Sequence, residues 1–153
     1  ARPQPERLSL ASLRDAVLGL VGTQFRQAGI ELRCTGDFAA EVKAGADDLR
    51  RILLNLLLNA LEVSSKGDAV ELRAGILDDG RVRLAVADQG GGVPPEAGDV
   101  FAPFVTTKAA GVGLGLAISR ELAERNGGEL GCRNADGGAV FALLLPRARE
   151  ENP

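Results

Sequence analysis

Between Asp88 and Leu116 the chain reads DQGGGVPPEAGDVFAPFVTTKAAGVGLGL, a stretch bounded by two glycine clusters. The first follows a carboxylate, Asp88-Gln89-Gly90-Gly91-Gly92. The second, Gly111-Val112-Gly113-Leu114-Gly115-Leu116, leads into an apolar-periodic helix. From Val93 to Ala110 the sequence has little periodicity of its own, and so long a segment inside a compact domain is usually a lid or a binding loop. Glycines at both ends allow close backbone approach to a ligand and can serve as hinges. The second cluster ends at a helix N-terminus, where unpaired N–H groups and the helix dipole favour anions such as phosphate. Together these features point to a hinged lid over a nucleotide, and any fold must be built around it.

The rest of the chain is sufficient for one domain. It has 153 residues, of which 45% are apolar and only 3% aromatic, so the core must be built from Leu, Val, Ile and Ala. Net charge is −3, with no basic run that would suit nucleic acid or an anionic membrane. The longest apolar run, Ile52 to Leu58, is interrupted by Asn55 and is too short to span a bilayer. No signal or transit peptide is visible. Cys34 and Cys132 fall in expected strands without metal-ligand spacing, and read as reduced packing residues of a cytoplasmic chain. The absence of Met leads us to expect a piece of a longer protein. The absence of His excludes every mechanism that needs a histidine from this chain itself.

In order, residues 1–7 read as an unstructured lead-in and Leu8-Ser9-Leu10 as a short edge strand. Ala11 to Ala28 carries Leu13, Ala16, Val17, Leu20, Val21 and Phe25 at helical spacing, with Ser9 or Ser12 as cap and Gly29 as terminator. Ile30 to Cys34 alternates as a half-buried strand, with Ala40 to Lys43 as its expected short partner. A second helix opens at Asp47 or Asp48 and runs to about Ser65. Its centre is apolar nearly all round, which predicts burial against the sheet. Ala69–Leu77 and Arg81–Ala87 form a hairpin about Asp78-Asp79-Gly80. A third helix spans Leu114 to about Arg125 and stops at Asn126-Gly127-Gly128. Glu129–Arg133 and Ala139–Leu145 make the last hairpin, and residues 147–153 read as a disordered tail. The sum is an α+β two-layer sandwich: a mixed, mostly antiparallel sheet of about five strands, covered on one face by three helices.

Few polar residues interrupt this pattern. Asn55 and Asn59 share one helix face, and each costs roughly 0.6 kcal/mol of helix propensity against Ala. Inside ILLNLLLNAL they need partners: either neighbouring backbone, or a magnesium ion bridging phosphates. Asp88 closes the strand RVRLAVA. It is either an ordinary Asx turn or the acceptor for an adenine amino group, with Gly90 and Gly92 keeping the pocket wall thin. Phe101 and Phe104 read either as pins that hold the lid to the body or as ordinary loop packing. Thr106, Thr107 and Lys108 bring hydroxyls and a compact cation near the second glycine cluster, where Lys108 is either suited to a terminal phosphate or a solvated lid charge.

A lone glycine pattern is weak, but the order of these elements is specific. LLNLLLNALE, DQGGG, FAPFVTTK and GVGLGLAIS resemble the N, G1, F and G2 boxes of the catalytic ATP-binding domain of bacterial sensor histidine kinases. That domain lies in the superfamily shared with gyrase, heat-shock chaperones and mismatch-repair ATPases. GGAVFALLLP is similar to its final strand motif, so the resemblance runs from about Leu8 to Pro146. The lid form is similar to that of kinases of the nitrogen-regulation and dicarboxylate-sensing type. Three positions depart from the pattern: Glu62 stands where a basic residue is frequent, Ala139 where Thr is common, and Asn126 where His is frequent.

The resemblance implies Asn59, with Asn55, at magnesium, and Asp88 at the adenine amino group. Gly90, Gly92, Gly111, Val112, Gly113, Leu114, Gly115 and Leu116 would shape the nucleotide walls, and Asn59 with Lys108 would support catalysis. ATP and Mg2+ are the implied cofactors. The implied acceptor is a histidine on a dimerisation domain of the same parent, followed by a response regulator. This fragment would be a monomer and the parent a homodimer. A serine kinase of the anti-sigma-factor kind and an ATP-binding pseudokinase module are the competing readings.

Overall fold

The computed structural model describes residues 4–94, 99–102 and 115–149. Helix α1 (Leu10–Ala28) starts where Ser9 accepts the Ser12 N–H and ends at Gly29, whose φ of 71° closes the last turn in the left-handed conformation. Its buried stripe is Leu10, Leu13, Val17, Val21 and Phe25. Helix α2 (Ala46–Val63) has no side-chain cap of its own, although Asp47 and Asp48 in its first turn suit the dipole. It buries Leu49, Ile52, Leu53, Leu56, Leu57 and Ala60. The helix lies buried against the sheet as expected, while on its other side Leu58 is 38% exposed and Asn55 and Asn59 are only half-buried. The polar pair marks an open edge of the helix.

Strands β2 (Glu31–Gly36), β4 (Ala69–Ile76), β5 (Val82–Ala87), β7 (Gly138–Leu145) and β6 (Glu129–Ala135) form one sheet in that order. Its β2–β4 pair is parallel and the other pairs are antiparallel. Helices α1, α2 and α3 (Gly115–Arg125) share one face of the sheet, with α2 packed between the other two. Val70, Leu72, Leu84, Val86, Phe141 and Leu143 fill the layer between. The two-layer α+β sandwich follows from this alternation, because each of these strands turns its apolar positions to the helices.

Two local expectations fail. Strand β3 (Glu41–Ala44) does not pair with β2. It pairs antiparallel with β1 (Glu6–Ser9) in a separate two-stranded sheet, so the lead-in is ordered from Glu6. The start of the tail is ordered too: Arg147 bridges to Val42, Ala148 N–H donates to the Glu41 carbonyl at 2.8 Å, and Arg7 donates to the Arg149 carbonyl at 2.8 Å. Short polar strands carry too little pattern to declare their partners.

Candidate functional site

The site begins at the end of β5. Asp88 is only 7% exposed, and its Oδ1 accepts the Gly90 N–H at 2.9 Å and the Ala139 N–H at 3.2 Å. Its Oδ2 has no partner among the described residues. No buried side-chain oxygen in that part of the chain lacks a partner, so Oδ2 must open to solvent. One oxygen is thus spent on the backbone and the other is left without a protein partner among the described residues. The turn is pressed against the β6–β7 hairpin: Gly91 N–H donates to the Gly137 carbonyl at 2.9 Å, and a Cβ on Gly138 would lie 1.7 Å from the Asp88 carbonyl oxygen. Ala139, at the position where Thr is common, gives its backbone N–H to Asp88 and has no hydroxyl to add.

In the first glycine cluster the backbone packs closely on its neighbours. A Cβ on Gly90 would come within 2.7 Å of Val63 Cγ2, so this glycine lets the turn sit on the last turn of α2. Gly92 combines a φ of 83° with a Cβ position 2.9 Å from Asn134 Oδ1. Asn134 itself clamps the next residue in both directions, accepting from Val93 N–H at 2.8 Å and donating to its carbonyl at 2.9 Å. Cys132 lies on the same strand. Burial, and then the charge of Asp88, push its thiol up to about 11, so it stays protonated beside the site.

Asn59 stands one turn before Val63 on α2, which brings the amide pair to the same end of the molecule as Asp88. Its side chain makes no hydrogen bond among the described residues and is half-buried, so its polar atoms are also open to solvent. Asn55 differs. Its Nδ2 donates to Ser119 Oγ at 3.0 Å and to the Gly115 carbonyl at 3.3 Å, leaving Oδ1 without a partner. The reading of a protein hydrogen-bond partner holds for the Asn55 nitrogen, and its Oδ1 is left without a partner among the described residues. Among the described residues no three His, Cys, Asp or Glu side chains come together. A hard cation here would therefore be held by amide oxygens together with nucleotide phosphates and water, a donor set that fits Mg2+.

Phe101 sits in a short Asx turn, with its N–H and that of Ala102 donated to Asp99. Its ring meets Phe141 edge-on at 6.1 Å, and the Arg120 guanidinium lies over it at 5.6 Å. Arg120 also reaches Asp99 at 3.5 Å. Phe101 thus anchors residues 99–102 to β7 and α3. Leu116 packs half-buried against the core, and a Cβ on Gly115 would meet nothing within 4 Å. The calls on Phe104, Thr106, Thr107, Lys108, Gly111, Val112, Gly113 and Leu114 lie outside the described residues. Sequence reasoning missed Ser119, Arg120, Asn134 and Gly138. Of these only Gly138, in the Asp136-Gly137-Gly138 turn, carried a visible signal.

A family model described as histidine kinase-, DNA gyrase B- and HSP90-like ATPase matches residues 44–149. The chain belongs to this ATPase family. Among curated relatives of this ATPase domain, the sensor histidine kinase ZraS of Salmonella typhimurium is 34% identical over 95% of the chain. The sensor protein FixL of Bradyrhizobium diazoefficiens is 36% identical over 95%. The chain spans about a third of the length of these two relatives, 32% and 29%. The nucleotide-free catalytic domain of histidine kinase ThkA superposes with a TM-score of 0.86 at 27% identity, covering 94% of this chain and 96% of that one. Full-length ShkA in complex with AMPPNP gives 0.86 at 33% identity, covering 99% of this chain and 33% of that one. The ATPase domain described here is equivalent to the ATP-binding catalytic unit of such kinases. Among its described residues no helix is long and apolar enough to cross a membrane.

Proposed function

We propose that this chain binds Mg2+-ATP and donates the γ-phosphoryl group to a histidine on a separate dimerisation domain, in two-component signalling. One observation carries the reading: Asp88, with one oxygen locked by two backbone N–H groups and the other free, sits at the same end of α2 as the free amide oxygens of Asn55 and Asn59. A buried acceptor with one free oxygen suits the exocyclic amino group of adenine. The amide face one turn away suits the phosphates and their cation. When bound, Mg2+ supplies charge neutralisation across the phosphates. Lys108 and the helix N-terminus near Gly113 would offset charge developing on the γ-phosphate, with Thr106, Thr107, Gly111, Val112 and Leu114 around it and Phe104 joining Phe101 as an anchor. The acceptor histidine is itself the nucleophile, so no general base is required from this chain.

The proposed partners are the histidine-bearing domain of the same parent, which would be a homodimer, and a response regulator downstream. Histidine kinase ThkA has been solved with its response regulator TrrA, which supports the second partner. The catalytic unit would work on the cytoplasmic side, where ATP is supplied. The test is calorimetry of ADP binding with and without Mg2+. Asn59→Ala should lower the Mg2+-dependent gain in affinity about tenfold, roughly 1.4 kcal/mol, while the melting temperature of the free protein moves little. A sharp fall in melting temperature with the metal dependence intact would overturn the metal role.

A further inference from the structure

The orientation of Asn55 is decided by helix α3. An amide side chain can adopt two flipped orientations, and the hydrogen-bond network chooses between them. The Gly115 carbonyl can only accept, so the group facing it must be Nδ2. The contact is long, at 3.3 Å, and the shorter one, 3.0 Å, goes to Ser119 Oγ. Ser119 is fully buried, at 0% exposure, in the face of α3 that packs on α2. A buried serine in the middle of a helix costs stability unless its hydroxyl is used. Here it accepts one of the two Nδ2 protons, and α3 takes both.

We propose that Ser119 is a positioning residue that fixes the Asn55 amide with Oδ1 toward the metal and phosphates, resting on the Mg2+-ATP reading above. Without the hydroxyl, Asn55 is held only by the long bond to Gly115 and is free to rotate or flip. A flipped amide would present N–H donors to a cation, which is repulsive. Removing an outer partner that orients a metal ligand typically costs 10–100-fold in metal affinity. A smaller effect, roughly tenfold, is expected here because one bond from α3 survives.

The experiment compares this chain with Ser119→Ala, Ser119→Thr, Asn55→Ala and the double variant Ser119→Ala/Asn55→Ala. Two readouts are used. In ligand-free protein, NMR should show a restrained Asn55 side-chain amide with contacts from its protons to the Ser119 methylene, lost in Ser119→Ala. By calorimetry, ADP binding in EDTA should be unchanged in Ser119→Ala while the Mg2+-dependent gain falls roughly tenfold. Ser119→Thr, which keeps the hydroxyl, should retain that gain, and the double variant should lose no more than Asn55→Ala alone. If Asn55→Ala keeps the full Mg2+ gain, Asn55 has no metal role and the proposal falls, while the Asn59 test still decides the Mg2+ reading. If Asn55→Ala loses it but Ser119→Ala does not, or if the Asn55 amide stays restrained in Ser119→Ala, the positioning role of Ser119 is overturned.

Discussion

At the scale of single residues, Asp88 carries the sharpest prediction, because the proposed function gives its two oxygens separate duties. Asn cannot perform both. If its nitrogen replaces Oδ1, it faces the Gly90 and Ala139 N–H donors; if it replaces Oδ2, it faces the adenine amino donor. The backbone pair is internal and always present, so the second orientation should win. Asp88→Asn is therefore expected to fold and melt nearly as the parent sequence does, yet to lose about 2 kcal/mol or more of ATP affinity, the scale of a charged hydrogen bond. Guanine carries an acceptor where adenine carries an amino group, so the preference of ATP over GTP should collapse in this variant. Calorimetry with both nucleotides decides it: GTP binding the unmodified chain as tightly as ATP would remove Asp88 from the adenine site. Asp88, Asn55 and Asn59 were legible in sequence because each is polar where its surroundings are apolar. Ser119 and Asn134 were not, since their partners Asn55 and Val93 stand far away in sequence and only the folded chain brings them together.

At the scale of elements, the sequence located the helices and the two hairpins well, because long periodic runs and Asp-Gly turns carry strong local signals. It failed at β3, whose four residues fit either neighbour, and it could not see how α2 and α3 are tied. Asp48 in the first turn of α2 accepts from Arg125 at 2.6 and 2.8 Å and from Asn126 at 2.9 Å; Asn126 in turn accepts the Gly45 N–H at 2.9 Å. Asn126, where His is frequent, thus ties Gly45, the N-cap residue of α2, to the end of α3. The Arg125 hydrogen bond, then that of Asn126 and the nearby charges of Arg125 and Arg51, hold the Asp48 carboxyl below its ordinary range against the opposing effect of burial. A folded-state value below the unfolded one contributes stability that is present above about pH 3.9. That contribution is lost as pH falls through the lower, folded value. Asp48→Asn should therefore melt below the parent sequence at neutral pH, with the gap narrowing from about pH 4 downward. A gap that stays constant between pH 7 and pH 3 would show that shape rather than charge holds the two helices. Because Arg125 is 44% exposed, added salt should narrow the gap as well.

At the scale of the whole molecule, β1, β3 and residues 147–149 lie side by side, and none of them carries the acceptor that the proposed function requires. The chain contains no histidine. Incubated alone with Mg2+-ATP, it should bind nucleotide and remain unlabelled on histidine, whatever the state of its site. Supplied in trans with a dimeric, histidine-bearing helical domain from its parent, it should label that domain from [γ-32P]ATP. Without the linker that normally joins them the encounter is bimolecular, so the rate should rise with concentration of either component, and should be far below that of the joined protein, in which tethering supplies a high effective concentration. The chemistry of the product then separates the readings. A phosphorus–nitrogen bond to imidazole is lost in acid and survives base, whereas a serine phosphate ester survives acid and is eliminated by base. Acid-labile label on the partner domain, abolished by Asp88→Asn and by Asn59→Ala, is the expected result. Acid-stable label on a serine would move the family assignment toward its serine-kinase branch. Nucleotide binding with no transfer at any concentration would mark an ATP-binding module that keeps the pocket without the reaction.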